Sequence, residues 1–140
     1  MKNCIFCKIV EGEIPSVKIW EDEKTISFLD VNPINLGHTL VIPKKHSPTF
    51  YESKEEDFIA TMKTAKKIAE KINKKLKPKK VGLLIAGWDV AHTHVHVVPM
   101  QDYHDLTSRR YLEEKKLNPS NEELKLIAEK ITGKNKKWQI

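Results

Sequence analysis

Five stretches of the chain carry the residue pattern of strands and two carry that of helices. Residues 17–20 and 25–30 read as strands joined across the polar turn at 21–24, a hairpin in which Ile26, Phe28 and Asp30 share a face. His38-Thr39-Leu40-Val41-Ile42-Pro43 is a third strand behind the turn Asn35-Leu36-Gly37. Residues 81–86 are nearly all apolar and read as a buried strand. His92-Thr93-His94-Val95-His96-Val97-Val98 alternates, and Pro99 is expected to stop it by removing a backbone donor. Gly87-Trp88-Asp89 is expected to join these last two strands tightly, which makes them antiparallel neighbours. Residues 100–105 read as a loop.

Between the third and fourth strands Phe58, Met62, Ala65, Ala69, Ile72 and Leu76 recur at helical spacing. Ser53-Lys54-Glu55-Glu56 reads as a capping box before them, and Pro78 lies just past the end. The lysines between 63 and 77 read as a solvated face. A second box, Ser120-Asn121-Glu122-Glu123, precedes a stripe of Leu124, Ile127, Ala128 and Ile131, with Gly133 as its stop and a basic tail carrying Trp138. This order predicts an α+β fold: an antiparallel sheet of about five strands, one long helix packed on it and a C-terminal helix. All 140 residues are expected in one domain, with 106–140 as a C-terminal extension.

Composition narrows the class without naming a function. Apolar residues make up 39% and charged residues 31%, the balance of a soluble globular protein. No apolar run approaches the ~20 residues of a membrane span, and the first residues lack the apolar region of a signal peptide, so a cytoplasmic location and no membrane partner are expected. The net charge of +6 comes mostly from lysines spread over helices and turns. No aromatic-interleaved basic stripe accompanies them, so no nucleic-acid partner is expected.

The chemistry is concentrated at His92, His94 and His96. On a strand, alternate residues project to one side, so these imidazoles share a face and Thr93, Val95 and Val97 share the other. Neutral imidazole is a metal ligand, and paired imidazoles also perform nucleophilic and acid–base work. With an unperturbed pKa near 6.5, a neutral nucleophile and a protonated acid can coexist close to neutrality. His94 has neighbours on both sides and is the candidate nucleophile; His96 is the candidate proton donor. A backbone carbonyl or a neighbouring group on the Nδ1–H of His94 is expected, to present Nε2 in the right tautomer. Cys4-Ile5-Phe6-Cys7 offers two thiols, half of a zinc site, with His38, His46, His92 and His104 as possible partners. Two reduced thiols without a metal are the plainer alternative.

The triad run resembles the signature of the histidine-triad family, His-φ-His-φ-His-φφ with φ apolar; Thr93 departs from it. Gly37-His38-Thr39-Leu40-Val41-Ile42-Pro43-Lys44-Lys45-His46 is similar to a second family segment, and Phe28-Leu29-Asp30-Val31-Asn32-Pro33 to its nucleoside pocket. The resemblance implies a homodimer that hydrolyses or transfers the nucleotidyl group of purine nucleoside phosphoramidates, aminoacyl adenylates or dinucleoside polyphosphates. His94 would carry the covalent intermediate, His96 would assist, and His38 would support them from the neighbouring strand. Asp30 would hold the ribose, with Ile5, Phe6, Phe28 and Val31 around the base. Gly87 and Asp89 fall where the family contacts phosphate, although Trp88 and the short turn depart from its longer glycine-rich loop. Zinc-bearing members imply a structural zinc on Cys4, Cys7, His46 and His92, and no catalytic cofactor. Two other readings are a zinc hydrolase with the three triad histidines as ligands, and a nucleotide-binding protein without turnover.

Overall fold

A five-stranded antiparallel sheet carries both layers of the molecule. The structure is a computed structural model that describes residues 4–107 together with Ser120 and Glu122. The chain divides into two compact units, Met1–Leu106 and Thr107–Ile140, and the elements named below belong to the first. The expected stripe of Leu124, Ile127, Ala128 and Ile131, its stop at Gly133, and Trp138 lie outside the described residues.

The elements are α1 (Ile5–Glu11), β1 (Lys18–Glu21), β2 (Thr25–Leu29), β3 (Thr39–Pro43), α2 (Glu55–Leu76), β4 (Lys80–Leu84) and β5 (Val95–Met100). The sheet order is β1-β2-β3-β5-β4 with every neighbour antiparallel. The α+β class and the five strands are therefore as the sequence pattern predicts. Strand pleating sorts the core into two halves. Ile26, Phe28, Leu40 and Ile42 pack with Phe6 and Ile9 of α1. Val41, Val95 and Val97 pack on the other face with Ala65, Ile68 and Ile72 of α2. Consequently His96, which lies between Val95 and Val97, points to the α1 side.

Several elements depart from expectation for physical reasons. The sequence pattern did not announce α1. It has seven residues and no side-chain cap, and it ends at Gly12 with φ 77°. Its signal is the spacing of Phe6, Ile9 and Val10 ahead of that glycine. The capping box at Ser53 does not form: Lys54 is the N-cap, without a side-chain bond, and Glu55, Glu56 and Asp57 meet the helix dipole instead. The buried stripe of α2 includes Thr61 and Thr64, whereas Leu76 is exposed. Thr64 is accommodated by a 2.9 Å hydroxyl bond to Thr25 and Thr61 by a 2.7 Å bond to the Asp57 carbonyl. β4 is an edge strand rather than a buried one, and Leu83 and Leu84 are exposed. Its link to β5 is no tight turn but covers residues 85–94.

The triad strand is also displaced. β5 starts at Val95 and runs through Pro99 to Met100, so His92 and His94 precede the ladder. Pro99 is tolerated because β3 begins only at Thr39, opposite Val97. Beyond that point the Asn35 side-chain amide donates to the Pro99 carbonyl at 2.8 Å, where a neighbouring strand would have been. The remainder of the expected loop is a short 3-10 turn, Tyr103–Asp105.

Gly37 shows how the local backbone serves the site. Its φ is 95°, a conformation that side chains rarely adopt, and an added Cβ would meet Leu76 and the Pro99 ring. The next residue is His38. Gly37→Ala is expected to cost about 2 kcal/mol in urea unfolding, from strain at positive φ. An unchanged midpoint would show that the turn relaxes freely.

Candidate active site and thiol–imidazole centre

Two clusters of imidazoles meet at the start of β5. His94 and His96 form the first, with ring centroids 4.9 Å apart. His94 is buried, and its Nδ1 lies 2.6 Å from the carbonyl oxygen of His92. A carbonyl only accepts, so Nδ1 carries the proton and Nε2 keeps its lone pair. This is the orientation a nucleophilic imidazole needs.

The tautomer of His96 follows from a chain of bonds that starts at backbone. The Ile34 N–H donates to Nδ1 of His38 at 3.2 Å, which leaves the His38 proton on Nε2. That Nε2–H donates to Nδ1 of His96 at 3.0 Å. His96 therefore holds its own proton on Nε2, in position to donate beside His94. His38 is 3% exposed, so it is a buried partner of the triad and not a solvent-facing strand start. Asp30 lies 3.7 Å from Nδ1 of His38, too far for a hydrogen bond, and its other oxygen accepts the Asn32 N–H at 2.8 Å. The carboxylate thus both begins the turn and borders the triad.

Burial changes the protonation expected from an ordinary imidazole. It pushes His96 down to about 4, and the neighbouring His94 and His38 rings push in the same direction; Asp30 and Asp89 oppose them. Burial also lowers His38, with Asp30 opposing. A ready-protonated acid at neutral pH is therefore not what the surroundings of His96 favour. The sign for stability is clear: a histidine depressed in the folded state stabilises the fold above its unfolded pKa. That contribution is lost as pH falls from about 6.5 toward 4. Between pH 7 and 4.5, His96→Gln is expected to lose about 1–2 kcal/mol less stability than the parent, allowing for water that still reaches the ring. Parallel denaturation series at the two pH values measure the difference, and equal losses would refute it.

The second cluster gathers Cys4, Cys7, His46 and His92. Nε2 of His92 lies 2.9 Å from the Pro43 carbonyl, so it carries the proton and Nδ1 presents a lone pair to the thiols. Nδ1 of His92 is 3.5 Å from Cys4 Sγ, 3.6 Å from Cys7 Sγ and 3.3 Å from Nδ1 of His46, which is 3.4 Å from Cys7 Sγ. Bond lengths of about 2.05 Å to nitrogen and 2.3 Å to sulfur in a tetrahedron imply edges of roughly 3.3 Å between nitrogens, 3.6 Å between nitrogen and sulfur and 3.8 Å between sulfurs. These four separations match the nitrogen–nitrogen and nitrogen–sulfur edges of a tetrahedral metal site, and all four atoms lie within 4.8 Å of one another. Burial, followed by the nearby Cys4 thiol, pushes the Cys7 thiol up to about 11, so without a cation it stays protonated. His104, also a possible ligand from sequence, is exposed and faces Asp102. His92, His94 and His96 do not form a ligand set with one another among the described residues.

The other predicted site residues separate by exposure. Phe6 and Phe28 are buried and meet edge-on at 5.7 Å, while Ile5 and Val31 are 47% and 90% exposed. Chemistry alone would place all four in the core; only the two phenylalanines are there. Phe6 also packs edge-on against His92 at 5.9 Å and His94 at 5.2 Å. Gly87 has φ 66° and open space where a side chain would stand. Asp89 and Trp88 are exposed. Thr93, the departure from the apolar pattern, is buried because its N–H donates to the Ser47 carbonyl at 2.7 Å and its hydroxyl at 3.2 Å. Sequence reasoning missed the Pro43 and Ser47 carbonyls and the Ile34 N–H. Backbone groups leave no residue-type signal.

The chain is similar to known proteins in sequence and in fold. A HIT domain model matches residues 11–103. An uncharacterized HIT-like protein of Methanocaldococcus jannaschii is 44% identical over 101 residues, 69% of this chain and 78% of its own. An adenosine 5'-monophosphoramidase of Schizosaccharomyces pombe is 38% identical over 102 residues, 69% of this chain and 74% of its own. The crystal structure of a zinc-bound histidine triad family protein from Mycobacterium smegmatis is similar with a TM-score of 0.69 at 33% identity, covering 77% of this chain and 82% of that one. The matched domain and the similarity to these relatives show that this chain belongs to the HIT, or histidine-triad, family.

Proposed function

We propose that this chain is a nucleotidyl hydrolase or transferase that works through a covalent nucleotidyl-His94 intermediate. The observation that carries the reading is the 2.6 Å bond from His94 Nδ1–H to the His92 carbonyl, which leaves Nε2 as a buried lone pair beside His96. The substrate class is a purine nucleoside phosphoramidate, an aminoacyl adenylate or a dinucleoside polyphosphate. The adenosine 5'-monophosphoramidase named among the relatives supports the first of these.

In the first step His94 Nε2 bonds to the α-phosphorus and the bond to the leaving group breaks. The arriving phosphate is an anion, and an opposite charge nearby favours the charged imidazole. His96 is therefore protonated on both nitrogens in the substrate complex and passes its Nε2 proton to the leaving group. His38 shifts its own proton to Nδ1, toward Asp30, so that its Nε2 accepts the His96 Nδ1–H. The imidazolium formed at His94 is stabilised by the His92 carbonyl on its Nδ1–H. In the second step water attacks phosphorus, His96 recovers a proton, and His94 leaves as the neutral ring. His38 holds the His96 ring in place through the bond between its Nε2 and the His96 Nδ1. Asp30 holds the ribose; Ile5 and Val31, with the edges of Phe6 and Phe28, enclose the base. The backbone at Gly87 approaches phosphate, and the Asp89 carboxylate must turn away from it.

A zinc ion on Cys4, Cys7, His46 and His92 is part of the proposal, supported by the tetrahedral spacing of those atoms. When bound it supplies structure, tying α1 to the segment before β5. We also propose a homodimer. β4 stands at the sheet edge with Leu83 and Leu84 exposed, a surface suited to a second copy across a two-fold axis. No helix among the described residues is long and apolar enough to cross a membrane, in keeping with the proposed cytoplasmic location. The decisive experiment is acid-quenched mass spectrometry of the protein mixed with an adenosine phosphoramidate. An adenylyl adduct on the peptide carrying His94 is expected. Turnover with no adduct at any quench time, or an adduct on another residue, would reject the mechanism.

A further inference from the structure

The thiol–imidazole centre and the candidate nucleophile share one residue. His92 turns Nδ1 toward the two thiols, while its carbonyl accepts the His94 Nδ1–H. A second link runs through α1. Cys4 and Cys7 flank Phe6 in sequence, and the Phe6 ring packs against both His92 and His94. Whatever moves the sulfur atoms therefore moves both groups that orient His94. The centre is also accessible. A cavity of about 400 Å³ is lined by Cys7, Val10, Glu11, Lys44, Lys45 and His46, so small solutes meet Cys7 and His46 from outside. Both cysteines are free and only partly buried, and their sulfur atoms lie within 4.8 Å of each other. A disulfide needs about 2.05 Å, which Cys4 can supply by moving at the N-cap of α1, where its side chain makes no cap bond.

We propose that Cys4 and Cys7 form a redox latch on His94, closed to a disulfide by a two-electron oxidant of the peroxide class that reaches Cys7 through this cavity. Cys7 sulfur takes one peroxide oxygen as a sulfenic acid and releases water. Cys4 sulfur then displaces that oxygen as a second water and forms the S–S bond. Two sulfurs are oxidised, one peroxide is reduced, and two protons complete the waters. The disulfide has no thiolates to offer, so a bound zinc ion leaves. His92 loses its partners on Nδ1, Phe6 shifts with α1, and the His94–carbonyl bond slackens. A thiol reductant with zinc reverses the sequence.

The latch rests on the proposed role of His94 in one respect, the loss of turnover, and has other readouts besides. The zinc-loaded full chain is treated with hydrogen peroxide and followed four ways. Expected are a mass loss of ~2 Da with one disulfide, zinc release to a chromogenic chelator, and loss of the downfield Nδ1–H proton resonance of His94. Adenosine phosphoramidate hydrolysis falls about tenfold or more, the scale of removing a group that orients a site residue, and recovers with reductant and zinc. Cys7→Ser starts without zinc, and there the same peroxide dose forms no disulfide and changes neither the His94 resonance, as it stands before treatment, nor that variant's own turnover. A disulfide that leaves the resonance in place overturns the latch. Failure of the disulfide to form, or equal inactivation of Cys7→Ser, also overturns it. A reduced protein that hydrolyses nothing yet shows the disulfide, zinc release and resonance loss would sink the proposed function and leave the latch standing.

Discussion

His94→Ala is expected to reduce kcat for an adenosine phosphoramidate by on the order of 10⁴-fold, with no adenylyl adduct in the quenched protein. The size follows from what is removed. In the proposed mechanism Nε2 is the bond-forming atom, and water placed in the same site has neither the ring's nucleophilicity nor its fixed direction. His96→Ala is expected to cost less, about 10²–10³-fold, because it removes proton transfer and leaves the covalent step available. The two losses should not add, since the rings are in contact and act on one bond. His94→Ala is also expected to keep the fold: β5 and its partners β3 and β4 pair from Val95 onward, beyond the altered residue. Turnover within tenfold of the parent would show that the triad does no covalent chemistry.

The parts of this site that were legible in the sequence share a cause. Alternation at His94, Val95 and His96 reports a two-residue period, and period alone decides which side chains face each other. The spacing of Cys4 and Cys7 likewise brings two thiols together beside His46 and His92. What was not legible depends on contacts distant in sequence. The strand could not be seen to begin at Val95, because its bounds are set by β3 and by the Asn35 amide beyond it. The exposure of Leu83 and Leu84 reflects the place of β4 in the sheet order, which no local pattern carries. The low pKa of His96 needs its burial and two other imidazoles, from residues 38 and 94. A short helix such as α1 has little intrinsic signal, since its seven residues are stabilised by what they dock against.

That last point carries the other large effect. If the proposed zinc is bound, removing it by chelation, or removing its proposed ligand by Cys7→Ser, is expected to lower Tm by roughly 10 °C and metal content from roughly one ion per chain to near none. α1 is too short to hold itself together, and Cys4 gives it no side-chain cap. Two kinds of tie remain: burial of Phe6 and Ile9 against the sheet, and the cluster joining Cys4 and Cys7 to His46 and His92. Without the second, the first must oppose fraying alone, and part of it is lost. Partial exposure of two large apolar side chains amounts to about 3 kcal/mol, well below the full binding energy of a structural zinc. The loss stays that small because the sheet and α2 keep their own core of Val41, Ile68, Ile72 and Val97. Hydrogen exchange localises the change: amides of α1 should exchange faster in the chelated protein while those of β3 and β5 keep their protection. Uniform loss of protection would instead make the ion a requirement of the whole fold, and no change in α1 would remove the cluster as its anchor.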